Sequence, residues 1–219
     1  MHFLDLSRHY NTLRTVFSES LLNRLGIRRQ WYEIDGWFNW RSAQEEAVKR
    51  FADGSRFVEV GIYLGRSICS LAEVVEGSGK QITVIGVDTC QGSGPEGSRE
   101  KDFHGDAVQQ GGGTFAGALH KNILDCGFAD KVQLIISDSV AAAGLFPDGS
   151  LDWVHLDARH DCASVKADIE AWLRKIKPGG WLSGDDFNEE KWPGVVKAVR
   201  ELLPRAEAWS DQQWRFVVE

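Results

Sequence analysis

Residues 57–67 read F-V-E-V-G-I-Y-L-G-R-S, and the fold of the whole chain hangs on them. Phe57, Val58 and Val60 form a short β-prone apolar run that Gly61 ends. Gly65 then opens a segment in which Ile68, Leu71, Ala72 and Val75 recur at helical spacing. A buried strand, a glycine turn and an amphipathic helix in this order make the first half of a βαβ nucleotide site. Glycine in such a turn lets the backbone approach a ligand that a Cβ would block. Tyr63 stands where G-x-G-x-x-G has its second glycine, the one that admits a pyrophosphate. The turn therefore predicts a smaller, adenosine-type cofactor rather than a dinucleotide. Alone, it is equally compatible with a plain structural βα connection.

Working outward, the same alternation continues. Upstream, residues 3–29 have helical spacing up to Gly26, an aromatic loop follows at 31–38, and a helix is predicted over Ser42–Phe51. Three of the nine tryptophans fall within Trp31–Trp40; such a cluster can wall a pocket, but packing onto the main sheet is the favoured reading. Downstream, strands are predicted at Ile82–Val87, Val132–Ile136, Leu151–Leu156 and from Trp181, with helical faces between them and a last helix at Pro193–Leu203. Pro178-Gly179-Gly180 is expected to break the helix carrying Val165, Ile169, Trp172, Leu173 and Ile176. Thr89–Thr114, rich in glycine and poor in apolar residues, reads as a long loop of the kind that forms a lid. Glu207–Trp209 and Trp214–Val218 flank a polar turn and read as a hairpin. The sum is an α/β fold: a doubly wound, mostly parallel sheet (55–219) with a C-terminal antiparallel hairpin and a helical N-terminal extension (1–54) in the same domain.

The bulk properties exclude several classes. A chain of 219 residues can bury a sizeable core, and a formal net charge of −7 does not suit non-specific nucleic-acid binding. No apolar run approaches a membrane span, and the first ten residues lack a signal-peptide core. The four cysteines are scattered without a C-x-x-C pair, as expected of a reduced cytoplasmic protein. Nothing in the sequence decides whether the chain self-associates.

In open α/β sheets ligands bind beyond the carboxyl ends of the strands, and there the polar residues accumulate. The first strand carries Glu59 and ends at Gly61. The second ends at Asp88, the third leads to Asp138 and Ser139, the fourth to Asp157 and His160, the fifth to Asp185 and Asp186. Any one such aspartate is commonly a helix N-cap; six carboxylates at one edge need cations or hydrogen-bond donors. Asp88 is expected to accept ribose hydroxyls, and Asp138 with the Ser139 backbone to face an adenine amino group or else to cap the next helix. Adjacent strand ends lie about 4.8 Å apart, so Asp157, Asp185 and Asp186 can surround one hard cation, Mg²⁺ or a similar ion rather than zinc. His155, inside the fourth strand, reads as a core histidine.

L-D-W-V-H-L-D-A-R-H at 151–160, with V-K-A-D-I-E-A-W-L-R-K-I-K-P-G-G-W-L-S-G-D-D-F at 165–187, resembles the class I S-adenosylmethionine-dependent methyltransferases. It is most similar to their divalent-metal-dependent branch, which includes macrocin O-methyltransferase-like and cephalosporin hydroxylase-like proteins. The likeness spans about 55–203 and implies a Rossmann-like methyltransferase fold. It implies S-adenosyl-L-methionine held by Glu59, Gly61, Ser67, Asp88 and Asp138, with Tyr63 and Ser139 completing that set. It also implies Mg²⁺ on Asp157, Asp185 and Asp186. The acceptor would be the hydroxyl of a small molecule, of sugar or natural-product type, with Asp157 or His160 as the base. Two departures from the family pattern are Ala158-Arg159, where glycine and a small or acidic residue are usual, and Asp185-Asp186, where catechol-type relatives have Asp-Asn. Arg159 brings a positive charge beside the proposed metal, suited either to binding an anionic substrate or to weakening metal affinity. The rivals are a metal-dependent hydrolase or phosphoryl-transfer enzyme on the same fold, disfavoured by the lack of a P-loop, and a non-catalytic cofactor-binding protein.

Overall fold

The computed structural model describes residues 13, 21–22, 25–93, 103–210 and 212–219. Most of the helix expected over 3–29, and the 94–102 part of the glycine-rich loop, lie outside the described residues.

Seven strands form one sheet: β1 (Arg56–Val60), β2 (Thr83–Asp88), β3 (Val132–Ile136), β4 (Leu151–Leu156), β5 (Ile176–Gly184), β6 (Glu207–Ala208) and β7 (Trp214–Val217). Their order is β3-β2-β1-β4-β5-β7-β6. The first five are parallel, and the closing hairpin pairs antiparallel to β5. Apart from a 3₁₀ turn at Trp31–Glu33, the helices are α1 (Arg41–Arg50), α2 (Arg66–Ser78), α3 (Phe103–Gln110), α4 (Ala116–Asp125), α5 (Ser139–Ala143), α6 (Cys162–Leu173) and α7 (Pro193–Leu202).

Alternation along each strand sends side chains to two cores. Phe57 and Trp153 face one with α1, α2 and α4; Val58, Val60, Val154 and Leu156 face the other with α5, α6 and α7. Both faces of β1 are covered, which explains its unbroken apolar run. Each of these fully buried side chains contributes on the order of 1.5–3 kcal/mol. The chain order reverses between β1 and β4, so the crevice over their carboxyl ends is the topological switch point.

The aromatic loop packs for the most part. Trp40 and Ile34 are buried in the first core, and Trp31 and Phe38 lean on it, whereas Trp37 remains 65% exposed.

Two expectations give way to the structure. Pro178-Gly179-Gly180 does not break a helix: α6 already ends at Leu173, and Ile176 opens β5 with Pro178 inside it. The β4–β5 register shifts between Leu151 and Trp153, opposite this stretch, and a strand bulge accommodates a proline that has no N–H to give. The expected loop at 89–114 contains a helix, α3, because Ala107 and Val108 find the first core to lean on. Its glycines serve the exit instead: Gly111 and Gly113 donate to Ala107 O at 3.0 Å and Val108 O at 2.8 Å.

Gly61 (φ +85°) is where β1 must pass β4 at closest range; a Cβ there would overlap the Asp157 carbonyl oxygen. Gly61→Ala should therefore lower stability by about 3 kcal/mol or more, through overlap and backbone strain together. Gly117→Ala, in α4 where a Cβ would meet nothing, should raise it by about 0.5–1 kcal/mol. Urea denaturation of both variants checks the pair, and an unchanged midpoint for Gly61→Ala would refute the close approach.

Candidate functional site

The carboxyl ends of the parallel strands open into a cleft of about 1230 Å³. Pockets for a single drug-sized ligand run to about 300–1,000 Å³, so this one has room for two molecules side by side. One half is built on the turn after β1. Asp88 Oδ2 accepts from the N–H groups of Ile62 and Tyr63, each at 2.9 Å, and its Oδ1 accepts from Cys90 N at 2.7 Å. The carboxylate predicted for ribose thus also holds the glycine turn shut, with fewer free lone pairs than the sequence implied. Tyr63 adopts φ +44°, the left-handed conformation a glycine would take there. Its ring meets Phe115 and His104 edge-on and stacks on Trp37, at centroid distances of 5.3, 4.6 and 6.2 Å.

Glu59 and Ser67 lie behind the turn. Ser67 Oγ donates to Glu59 Oε1, and the Ser67 carbonyl accepts from Gln44 Nε2 at 3.0 Å. Glu59 is 1% exposed and its Oε2 finds no partner among the described residues. Burial first, and then Asp157, Asp88 and Asp185, push its carboxyl well above the usual range against the pull of Ser67. Asp138 caps α5, its Oδ1 accepting from Val140 and Ala141 N at 3.0 and 3.2 Å, so the capping role is realised here. Ser139 Oγ accepts from Trp172 Nε1 at 3.0 Å and also bonds Asp168. Burial raises Asp168, which lines the same cleft, to about 6.

The other half gathers Asp157, His160 and Asp186. Each offers one donor atom and these lie within 4.8 Å of one another, the one such group among the described residues. His160 Nε2 is 2.8 Å from Asp186 Oδ2. Asp186 takes φ +60°, a turn of the backbone that Asp tolerates. Asp185 is held apart from the group: its Oδ1 accepts from Gln213 Nε2 and from the Asp186 N–H, both at 2.7 Å. Burial, followed by Asp185 and Asp186, raises the Asp157 carboxyl well above its ordinary value, and Asp185 reaches about 6 by burial and its neighbour Asp186. Three half-buried carboxylates this close cannot comfortably all be charged, which a divalent cation would relieve, and the donors fit one. The set brought together differs from the expected trio by one exchange, His160 in place of Asp185. His155 is a core histidine stacked on Trp40 at 3.9 Å, bonded to Ser183 Oγ at 2.9 Å, and depressed by burial to about 3.

Sequence reasoning passed over Gln44, Asp168, Gln213 and Trp192. The first three are isolated polar residues whose burial only the fold reveals. Trp192, at the N-cap of α7, is signalled by the proline after it, a favoured first helical residue. The four cysteines are free, as expected. No helix among the described residues is long and apolar enough to cross a membrane.

A family model described as a methyltransferase domain matches residues 58–187. No curated protein sequence matches the chain. Among solved structures it is similar to the O-methyltransferase NovP, with TM-score 0.60 and 14% identity over 81% of this chain and 78% of that one. It is also similar to CalS11, a TDP-rhamnose 3'-O-methyltransferase of calicheamicin biosynthesis, with TM-score 0.52 and 16% identity over 99% and 96%. A methyltransferase of Podospora anserina, PaMTH1, bound to S-adenosylhomocysteine, gives TM-score 0.57 and 15% identity over 98% and 88%. At these identities the likeness establishes the fold.

The upward shift of Glu59 is testable in the protein without ligands. A carboxyl raised by folding contributes stability that is full below its unfolded pKa, about 4.3, and is lost as pH rises through the folded value. Wild type should therefore lose stability relative to Glu59→Gln as pH rises above about 4.3, since the amide cannot ionise. Parallel melting curves across that range decide it; a constant difference would mean that Glu59 is charged in the fold.

Proposed function

That the chain belongs to the methyltransferase-domain family is the premise from which we propose its reaction: transfer of a methyl group from S-adenosylmethionine to the hydroxyl of a small molecule, assisted by a divalent cation. The observation that carries this reading is the compact group Asp157, His160 and Asp186 in the same cleft as the glycine turn. S-adenosylmethionine supplies the electrophilic methyl, and the turn at 61–67, with Asp88 and Asp138, offers the polar groups that would seat it. Asp157 and Asp186 would hold Mg²⁺ or a similar ion, with His160 beside them, and the ion's chemistry there is to acidify and orient a hydroxyl.

The acceptor oxygen attacks the methyl carbon in line with the carbon–sulfur bond, and sulfur leaves with the bonding pair as a thioether. The hydroxyl proton passes to the His160 ring, where the Asp186 carboxylate at 2.8 Å steadies the positive charge. Asp157, half-buried in the wall of the cleft, is the second candidate for the proton. Tyr63 and Trp37 stack on each other and line the cleft beside the turn. A sugar or natural-product acceptor is favoured by the likeness to CalS11 and by the size of the cleft. The acidic balance disfavours nucleic acid, and the free cysteines suit a reducing cytoplasm.

S-adenosylhomocysteine should raise the melting temperature, whereas NAD should not. Asp186→Asn and chelation should leave its affinity nearly unchanged while methyl transfer to a panel of sugar and polyketide hydroxyls collapses. His160→Ala should lower kcat by about 10²–10⁴-fold. Calorimetry with radiolabelled methyl transfer reads all three; full activity after chelation would remove the cation from the reaction.

A further inference from the structure

The indole of Trp192 lies against the His160 ring, with centroids 4.1 Å apart and planes 30° from parallel. The only closer ring pair described is Trp40–His155, at 3.9 Å and 27°, where the histidine is sealed in the core. Trp192 and His160, by contrast, both line the open cleft. The approach of the two segments is built in: Gly194 has no Cβ, and one would come 2.5 Å from the His160 carbonyl oxygen and 2.9 Å from Cys162 N. Helix α7 therefore starts hard against the chain that carries His160.

The segment between Asp186 and Trp192 is equally determined. Asn188 N donates to the Asp186 carbonyl at 2.7 Å, and Asn188 Oδ1 accepts from the N–H groups of Glu190 and Lys191 at 3.0 Å each. Trp192 N donates to the Asn188 carbonyl at 2.8 Å. One short loop thus delivers both partners of His160: Asp186, which meets its Nε2, and Trp192, which meets its face.

We propose that Trp192 is a positioning residue for His160, fixing the plane of the imidazole so that Nε2 faces Asp186 and the donor group keeps its shape. The χ2 torsion of histidine is broad, so polar contacts in the ring plane leave a tilt that a wall against the ring face restrains. A flat wall removes that freedom without adding a competing donor or acceptor. Packing alone would not require an indole at this place, since Trp192 lines the cleft and any apolar side chain would cover the helix start. The role in cation binding rests on the reading of the group as a cation site; the role in fixing the ring does not.

The test uses the full chain with Trp192→Ala, Trp192→Phe and His160→Ala, and Mn²⁺ as the probe. Binding is followed by electron paramagnetic resonance. Nuclear magnetic resonance of the His160 ring protons is recorded without metal. In Trp192→Ala the ring protons should lose their upfield ring-current displacement, and Mn²⁺ affinity should fall about 10-fold, the lower end for partners that orient metal ligands. Trp192→Phe should retain most of both. Affinity for S-adenosylhomocysteine should be unchanged in every variant, which certifies the fold. In the His160→Ala background, removing Trp192 should cost nothing further, because the indole acts through the imidazole. An equal loss in that background, or unchanged Mn²⁺ affinity in Trp192→Ala, would overturn the proposal. If wild type binds no Mn²⁺, the cation reading fails by itself. The ring protons then judge the positioning role alone, and unmoved resonances in Trp192→Ala would end it.

Discussion

The whole site depends on one close passage of backbone. β1 and β4 lie side by side at the switch point, and the turn that leaves β1 must cross the start of the β4–α6 loop with no side chain between them. Gly61 meets that constraint, since any Cβ would overlap the Asp157 carbonyl. The crossing is tied by backbone bonds: Asp157 N donates to Val60 O and Gly61 N to Val87 O, each at 2.8 Å. The cofactor turn and the first member of the acidic group are thereby parts of one rigid junction. A methyl donor over the turn and an acceptor over Asp157 would inherit their separation from it, which is how a fold supplies proximity.

Such a junction collects negative charge, and the structure disposes of it residue by residue. Two unit charges 4 Å apart interact by about 4 kcal/mol at an effective dielectric of 20, so three or more carboxylates cannot share the space uncompensated. Asp88 is met by three backbone N–H groups and Asp138 by two at the start of α5. Burial pushes the Glu59 carboxyl up, toward its uncharged form. Asp185 has Gln213 and a backbone amide. What remains without amide donors is Asp157 and Asp186, with His160 between them. The cation reading follows from this remainder rather than from the number of acids.

The strands were legible because short apolar-rich runs of strand length stand between helical patterns: Val132–Ile136 and Leu151–Leu156 were read to the residue. The strand-end rule placed the polar residues on the right edge of the sheet. What it could not see was which neighbour turns inward. Asp185 and Asp186 look interchangeable in sequence, but the left-handed turn at Asp186 swings one carboxylate toward His160 while the other is claimed by Gln213, more than two dozen residues later. A helix carried by two leaning apolar residues, as in α3, and a proline absorbed by a bulge in β5 are likewise decided by tertiary packing that no local pattern encodes.

The C-terminal hairpin then has more to do than close the sheet. Gln213, fully buried, sits just before β7, so its reach to Asp185 is only as steady as the hairpin. Two aromatic rings and one cation hold the hairpin to the body. The Arg215 guanidinium lies 4.7 Å from the centroid of Trp181 and 5.0 Å from that of Trp209, and Arg215 Nη1 and Trp209 Nε1 donate to the two oxygens of Glu46 at 2.6 and 2.8 Å. An exposed ion pair alone is worth about 1 kcal/mol or less, so the stacking is the steadier part of this clasp. Glu46 belongs to α1, as does Gln44, whose amide grips the Ser67 carbonyl. A single helix of the N-terminal region therefore braces both halves of the cleft, the turn through Gln44 and Asp185 through the hairpin, which ties that region to the geometry of the site.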